Sequence, residues 1–352
     1  MRRVLYNRGK MVYNKGKTLF PGRAQAFLVQ FSIPYISVKC KGEQVNSPDF
    51  SHSGHFRQQT EIERIPKIIN AQEYTTMQTQ IQNRKISLEN LHAKSAFICD
   101  MDGVIYHGNR LLDGVADFVK WLHENDKQFL FLTNSSERSP RELSLKLARM
   151  GLEVGEEHFY TSALATASFL ATQCPGGSAY VIGEPGLVNA LYEAGFSMND
   201  YNPDYVVFGE TRSMSYEKIE HAVKLVQNGA KLIGTNPDLT GPTDHGIVPA
   251  CRALIAPIAL TAGVEPYFVG KPNPLMMRHG LKKLNCSRRD AALIGDRMDT
   301  DIIAGIESEL DTVLVLSGVS TTQTVRQFPY RPMYIMNGVG DVVKDEIDRI
   351  EV

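Results

Sequence analysis

The stretch AFICDMDGVIYHGN, residues 96–109, decides how the chain is read. An apolar run ends in two carboxylates, Asp100 and Asp102, one residue apart, and Gly103 follows at once. Solubility does not need that ending, and a buried strand avoids it. The pair therefore takes its meaning from whatever else the chain brings to the same strand end.

From residue 95 onward, short apolar runs alternate with helical patterns, the signature of a parallel sheet with crossover helices. SAFICD reads as a strand, and GVADFVKWLHEND has helical spacing with Val115, Phe118, Val119 and Leu122 on one face. QFLFLTNSS is the next strand, and SPRELSLKLARMG a helix opened by Ser139-Pro140 and closed by Gly151. HFYTS and ALATASFLATQ repeat the unit, and PGGS at 175–178 breaks the rhythm. A second alternating set follows, and PYFVGKPNP, AALIGD and DTVLVLSG then resume the first. The pattern predicts an α/β fold: a Rossmann-like parallel sheet core over 95–177 and 263–352, interrupted by an inserted α/β cap over 178–262.

Charge divides the 352 residues unevenly. Residues 1–94 hold 15 Lys and Arg against 6 Asp and Glu, net +9, and the remainder holds 23 against 33, net -10. An acidic body argues against a nucleic acid polymer as partner. No apolar run approaches the roughly 20 residues of a membrane span. Cys40, Cys99, Cys174, Cys251 and Cys286 are odd in number and widely spaced. That suits a reducing, cytoplasmic setting and gives no zinc pattern.

Residues 1–90 are basic, then polar, and poorly periodic. The expectation is a disordered extension, or a true start at Met77, with an organelle transit peptide as the competing reading.

Ligands of an open parallel sheet bind beyond the carboxyl ends of its strands. Four apolar strands end in polar residues: FICDMDG in Asp100 and Asp102, LFLTNSS in Thr133, Asn134 and Ser135, YFVGKPNP in Lys271, and ALIGDRMDTD in Asp296, Asp299 and Asp301. Brought together, these make several carboxylates around one lysine. Close carboxylates repel unless a cation neutralises them, and oxygen-only ligands select a hard cation such as Mg2+. A lysine and Thr hydroxyl beside that cation suit phosphate oxygens. The cluster reads as a phosphoryl-transfer site. One carboxylate attacks phosphorus, a second two residues on moves the proton, and Gly103 permits the turn that brings both to one point.

The motifs DMDG, TNSS, GKP and GDRMDTD, in that order, resemble the haloacid dehalogenase superfamily of phosphatases. TSALATASFL, NPDYVVFGETRS, NGAKLIGTNPD and FVGKPNP narrow the resemblance to its NagD-type branch, over residues 95 to about 335. The resemblance implies Asp100 as nucleophile and Asp102 as general acid and base. It implies Mg2+ on the Asp100 side chain, the Asp102 backbone carbonyl and the Asp296 side chain. It implies substrate binding by Asp102, Thr133, Asn134 and Lys271, and by Arg297, Met298, Asp299 and Thr300 after the metal ligand. The resemblance also implies Asn at position 297, where this chain has Arg, a departure that leaves Asp296 in place as the implied ligand. The implied substrate is a small phosphomonoester, with nucleoside monophosphates such as UMP first. Phosphoglycolate, pyridoxal phosphate and sugar phosphates are the alternatives.

Single residues also admit plainer readings. Thr133 and Asn134 alone would be helix caps, and Lys271 a surface lysine. Asp299 and Asp301 would be charges at a helix N-terminus, with Asp301 supporting the site from behind. His107 reads as a loop residue. In the insert, GETRS at 209–213 and GTNPD at 234–238 read equally as capped turns or as substrate contacts through Glu210, Thr211 and Asn236. A non-catalytic phosphate-binding module is the rival from another class. The sequence is silent on oligomeric state.

Overall fold

The computed structural model describes residues 85–243 and 246–352. The expectations for residues 1–84, including a start at Met77, lie outside the described residues.

The core strands and helices follow one another in the alternating order. They are β1 (Ala96–Cys99), α1 (Val115–Glu124), β2 (Gln128–Thr133), α2 (Pro140–Arg149), β3 (Phe159–Thr161) and α3 (Ser162–Gln173). The four helical residues singled out by spacing, Val115, Phe118, Val119 and Leu122, are the buried face of α1. Helix α2 starts where its chemistry says. Ser139 accepts from the Glu142 N–H at 3.3 Å, Glu142 reaches back to the Ser139 N–H at 2.8 Å, and Pro140 takes the first turn.

The insert forms its own sheet from β4 (Ser178–Ile182), β5 (Ser197–Met198), β6 (Tyr205–Phe208), β7 (Lys231–Gly234) and β8 (Tyr267–Phe268). Between these strands lie α4 (Pro185–Glu193), α5 (Tyr216–Gln227) and α6 (Cys251–Ala262). The core then resumes with α7 (Pro274–Lys283), β9 (Ala291–Gly295), a π-helical turn at Met298–Ile302, α8 (Ile303–Glu307), β10 (Asp311–Val315) and β11 (Tyr334–Met336).

Every pairing in the core sheet is parallel, in the order β11-β10-β9-β1-β2-β3. Strand order reverses between β1 and β9, so a crevice opens between their carboxyl ends. Alternate residues of β1 face opposite layers. Phe97 and Cys99 join Phe118, Phe131 and Val313, while Ala96 and Ile98 join Leu130, Met276 and Leu293. Burial on both faces explains the unbroken apolar run.

The insert's sheet is also parallel, in the order β8-β7-β6-β4-β5. This corrects the expected boundary. By its pattern PYFVG marks the core resuming from 263, yet Ile233 and Gly234 pair with Tyr267 and Phe268, so β8 is an edge strand of the insert. A two-residue apolar run carries no information on which sheet it joins. Leu187, Ile233 and Val269 of the insert share one apolar cluster with Leu170, Met276 and Leu293 of the core.

Residues 85–90 are a second correction. The sequence pattern groups them with the extension, but Lys85–Ser87 pairs antiparallel with Glu346–Asp348, and Leu88 and Leu91 are buried. The partner strand lies some 260 positions away, beyond the reach of any local pattern. No helix among the described residues is long and apolar enough to cross a membrane.

Candidate active site

Asp100 and Asp296 follow the two strands that flank the reversal of strand order, β1 and β9. The Asp100 N–H donates to the Ile294 carbonyl at 2.8 Å, extending the β1–β9 ladder to the first carboxylate. Lys271 is buried, and its ammonium donates to Asp100 Oδ1 and, at 2.6 Å, to Asp301 Oδ1. Side-chain oxygens of Asp100, Asp296 and Asp301 lie within 4.8 Å of one another.

The glycines explain how Asp296 is held. Gly103 has φ +83°, and a Cβ there would stand 2.5 Å from Asp296 Oδ2. A Cβ on Gly318 would stand 2.0 Å from the same oxygen. Between these two bare backbones, Asp296 Oδ2 accepts from the Val319 N–H at 2.6 Å. Asp296 Oδ1 is buried with no hydrogen-bond partner among the described residues.

Charge in this cluster is unbalanced. Burial, reinforced by Asp301, raises the Asp296 carboxyl to about 7 against the opposing Val319 N–H, Lys271 and Arg297. Burial likewise drives the Asp100 carboxyl up, Lys271 opposing and Asp301 and Asp296 adding to it. Burial works against the Lys271 charge too, but Asp100 and Asp301 outweigh it and hold the ammonium charged. With all three carboxyls ionised the cluster would hold two negative charges more than its one ammonium offsets, and burial resists that ionisation. A divalent cation matches that deficit and the oxygen-only donor set, and the unpartnered Asp296 oxygen is available to it.

Matches to known proteins agree with this geometry. Residues 97–197 match a family model described as haloacid dehalogenase-like hydrolase, and residues 268–342 match a HAD-hydrolase-like model. The chain is 41% identical over 245 residues to the ribonucleotide monophosphatase NagD of Escherichia coli (strain K12), covering 70% of this chain and 96% of that protein. It belongs to the haloacid dehalogenase-like hydrolases. Within them it is a NagD-type phosphatase acting on phosphate esters. The dihydroxyacetone phosphatase of Corynebacterium glutamicum (strain R) is 44% identical over 247 residues, 70% of this chain and 90% of that one. The solved structure of NagD from E. coli K-12 superposes with a TM-score of 0.68 at 40% identity, covering 71% of this chain and all of that one. Phosphatases of this family generally use a divalent metal, which the acidic cluster suits.

The structure of the phosphatase sorts the expected site residues. Asp100, Lys271 and Asp296 meet at one point. Thr133 is buried at the end of β2, its hydroxyl accepting from the Ser135 N–H at 3.1 Å. Asp102 lies outside the three-carboxylate group, half-exposed, with His107 Nδ1 3.6 Å from its Oδ1. His107, read as a plain loop residue, is thus a neighbour of the second carboxylate. Lys271 reaches the cluster from a loop beyond the insert's edge strand, not from the end of a core strand.

The remaining expected substrate contacts sit as follows. The Asn134 side chain is fully engaged: Oδ1 accepts from the Lys271 N–H at 2.8 Å, and Nδ2 donates to the Lys271 carbonyl at 3.0 Å and to Asp238 at 2.9 Å. Met298 packs with Ile302, Leu314 and Val325 in an apolar cluster, its N–H spent on Ser320 and its carbonyl on Tyr330. A side chain so enclosed presents nothing to a polar substrate. Asp299 is more than half exposed and paired with Arg297 at 2.9 Å, and Arg297 also stands 3.9 Å from Asp238. Thr300 is buried in the π-helical turn.

Sequence reasoning underrated Asp301, placed behind the site. Its Oδ1 meets Lys271 directly, and its Oδ2 accepts from the Arg297 N–H at 3.1 Å. It missed Gly318 and Val319 altogether. Their signal was the strand DTVLV ending in Leu-Ser-Gly, a further core-strand end at the same edge of the sheet.

Proposed function

We propose that this phosphatase is a Mg2+-dependent phosphomonoester hydrolase working through an aspartyl phosphate on Asp100, with nucleoside monophosphates such as UMP as substrates. The observation that carries the reading is the Lys271 ammonium seated between Asp100 and Asp301 beside the unpartnered oxygen of Asp296. The Asp100 and Asp296 side chains and the Asp102 backbone carbonyl would hold Mg2+. When bound, the ion supplies positive charge for the transferring phosphoryl oxygens.

In this reading an Asp100 oxygen attacks phosphorus, forming the O–P bond as the ester P–O bond breaks. The Asp102 carboxyl gives its proton to the departing alcohol oxygen. Water then attacks the aspartyl phosphate, Asp102 takes its proton, and inorganic phosphate leaves as the Asp100 carboxylate is restored. Lys271 and Thr133 bind phosphoryl oxygens. Asn134 serves by holding Lys271. The half-exposed Asp102 suits a group that exchanges protons with leaving group and water. The insert acts as a cap that excludes water during the first step. Among the described residues, the free thiols of Cys99, Cys174, Cys251 and Cys286 fit a cytoplasmic enzyme.

Nucleotide substrates draw support from the NagD relative, matched over 96% of its length. A second reading, a three-carbon or sugar phosphate, draws support from the 44% identity to a dihydroxyacetone phosphatase. Phosphate release from UMP, dihydroxyacetone phosphate, phosphoglycolate and pyridoxal phosphate, measured with Mg2+, separates the two. A kcat/KM for UMP below that for dihydroxyacetone phosphate sinks the nucleotide reading. No release from any of these or from 4-nitrophenyl phosphate sinks the mechanism.

A further inference from the structure

Glu210 lies just beyond β6 in the insert, outside the three-carboxylate group. Three donors converge on its carboxylate. The Ser136 N–H donates at 3.2 Å, the Ser136 hydroxyl at 2.5 Å, and the Asn236 amide completes the set. Ser136 belongs to the core loop after β2, and Asn236 to the insert loop after β7. Both are fully buried.

The same Asn236 nitrogen donates to the Asn134 carbonyl at 2.7 Å. Asn134 grips the main chain of Lys271, and the Lys271 ammonium meets Asp100 and Asp301. Hydrogen bonds therefore link Glu210 through Asn236 and Asn134 to the main chain of Lys271, whose side chain carries the ammonium to Asp100 and Asp301.

We propose that Glu210 is a positioning residue for phosphoryl transfer: by tying down Ser136 and, through Asn236, Asn134, it makes the seating of the insert set the place of Lys271. The proposal rests on the mechanism above. It replaces the expectation that Glu210 and Asn236 choose among substrates, because their polar atoms face Ser136 and Asn134 across the seam.

The chemistry requires a carboxylate here. Three donors need an acceptor at both oxygens. A glutamine of equal size turns an NH2 toward one of them and leaves a buried donor facing a donor. Networks of this kind act as a unit, so loss of one member is felt at the far end.

The test uses the full chain with Glu210→Gln and, as a milder variant that keeps the backbone donor, Ser136→Ala. Amide hydrogen exchange is followed at Lys271, whose N–H is held by Asn134, with β1 and β9 as internal controls. Exchange at Lys271 should quicken about tenfold in both variants while the control strands keep their protection. With Mg2+, kcat should fall by about tenfold on UMP and 4-nitrophenyl phosphate alike, with KM within about twofold of wild type. The double variant should lose no more than the worse single variant. A kcat loss confined to UMP would make Glu210 a specificity residue and overturn the proposal. Unchanged exchange at Lys271 in the folded variants overturns it as well. If wild-type protein hydrolyses neither ester, the mechanism fails separately, and exchange at Lys271 still decides whether Glu210 sets its place.

Discussion

Asn134 holds both main-chain polar atoms of Lys271, accepting from its N–H at 2.8 Å and donating to its carbonyl at 3.0 Å. An amide side chain is the one group that offers donor and acceptor side by side in this geometry. The lysine that touches Asp100 is thereby fixed at its backbone as well as at its ammonium.

Asn134→Ala should therefore lower kcat by about tenfold or more while KM changes little, because it misplaces Lys271. Asn134→Asp should do at least as much damage, since it sets a carboxylate against Asp238. Steady-state kinetics on 4-nitrophenyl phosphate reads both. A raised KM at unchanged kcat would return Asn134 to direct substrate contact.

Asp100→Asn should abolish turnover, by about a thousandfold or more, since an amide oxygen does not form the aspartyl phosphate. The fold should survive, because the variant removes negative charge from a buried cluster that carries too much of it. Phosphate release with a melting curve checks both points, and wild-type turnover would refute the nucleophile.

Chelation should abolish activity, and Mg2+ should restore it where Ca2+, with its larger and looser shell, does so poorly. Mg2+ should raise the melting temperature of wild type by mass action. Asp296→Asn should lose that shift without melting earlier in its absence, as repulsion with Asp100 and Asp301 is relieved. Gly318→Ala should lose the shift too, because its Cβ would stand 2.0 Å from Asp296 Oδ2. Full activity after exhaustive chelation would remove the metal from the mechanism.

Leu91→Ala should cost about 2–5 kcal/mol, the range for truncating a fully buried leucine. Leu91 is wholly buried in the core cluster with Phe97, Phe118 and Val342. Urea denaturation measures the loss. A cost near zero would detach residues 85–91 from the folded body.

Glu142 supplies a pH signature at the start of α2. Hydrogen bonds from the Ser139 N–H and hydroxyl, both 2.8 Å, hold its carboxyl below the ordinary value of 4.5. A lowered carboxyl stabilises the fold above its unfolded pKa, and the benefit is lost as pH falls through the folded pKa. Glu142→Gln should thus melt below wild type near neutral pH, and the gap should close below 4.5. Ser139→Ala should cost about 1 kcal/mol at neutral pH. A gap that stays constant across that range would deny the ionised cap.

Local chemistry makes much of this protein legible in the sequence alone. The apolar face of α1 follows from 3.6-residue spacing, and the start of α2 from Ser139-Pro140 and Glu142. Asp100 and Asp296 stood out because an unbroken apolar strand rarely ends in a carboxylate, and parallel strands deliver their ends to one edge. Only the tertiary structure decided partners. It gave Tyr267–Phe268 to the insert's sheet, turned Asn134 onto Lys271, buried Met298, brought Asp301 to the ammonium and wedged Asp296 between Gly103 and Gly318. Residue patterns specify which face of an element avoids water, since that depends on neighbours three or four positions away. Which strand pairs with which, and which donor meets which acceptor, depends on groups more than a hundred residues apart, and only the packed chain brings them within 3 Å.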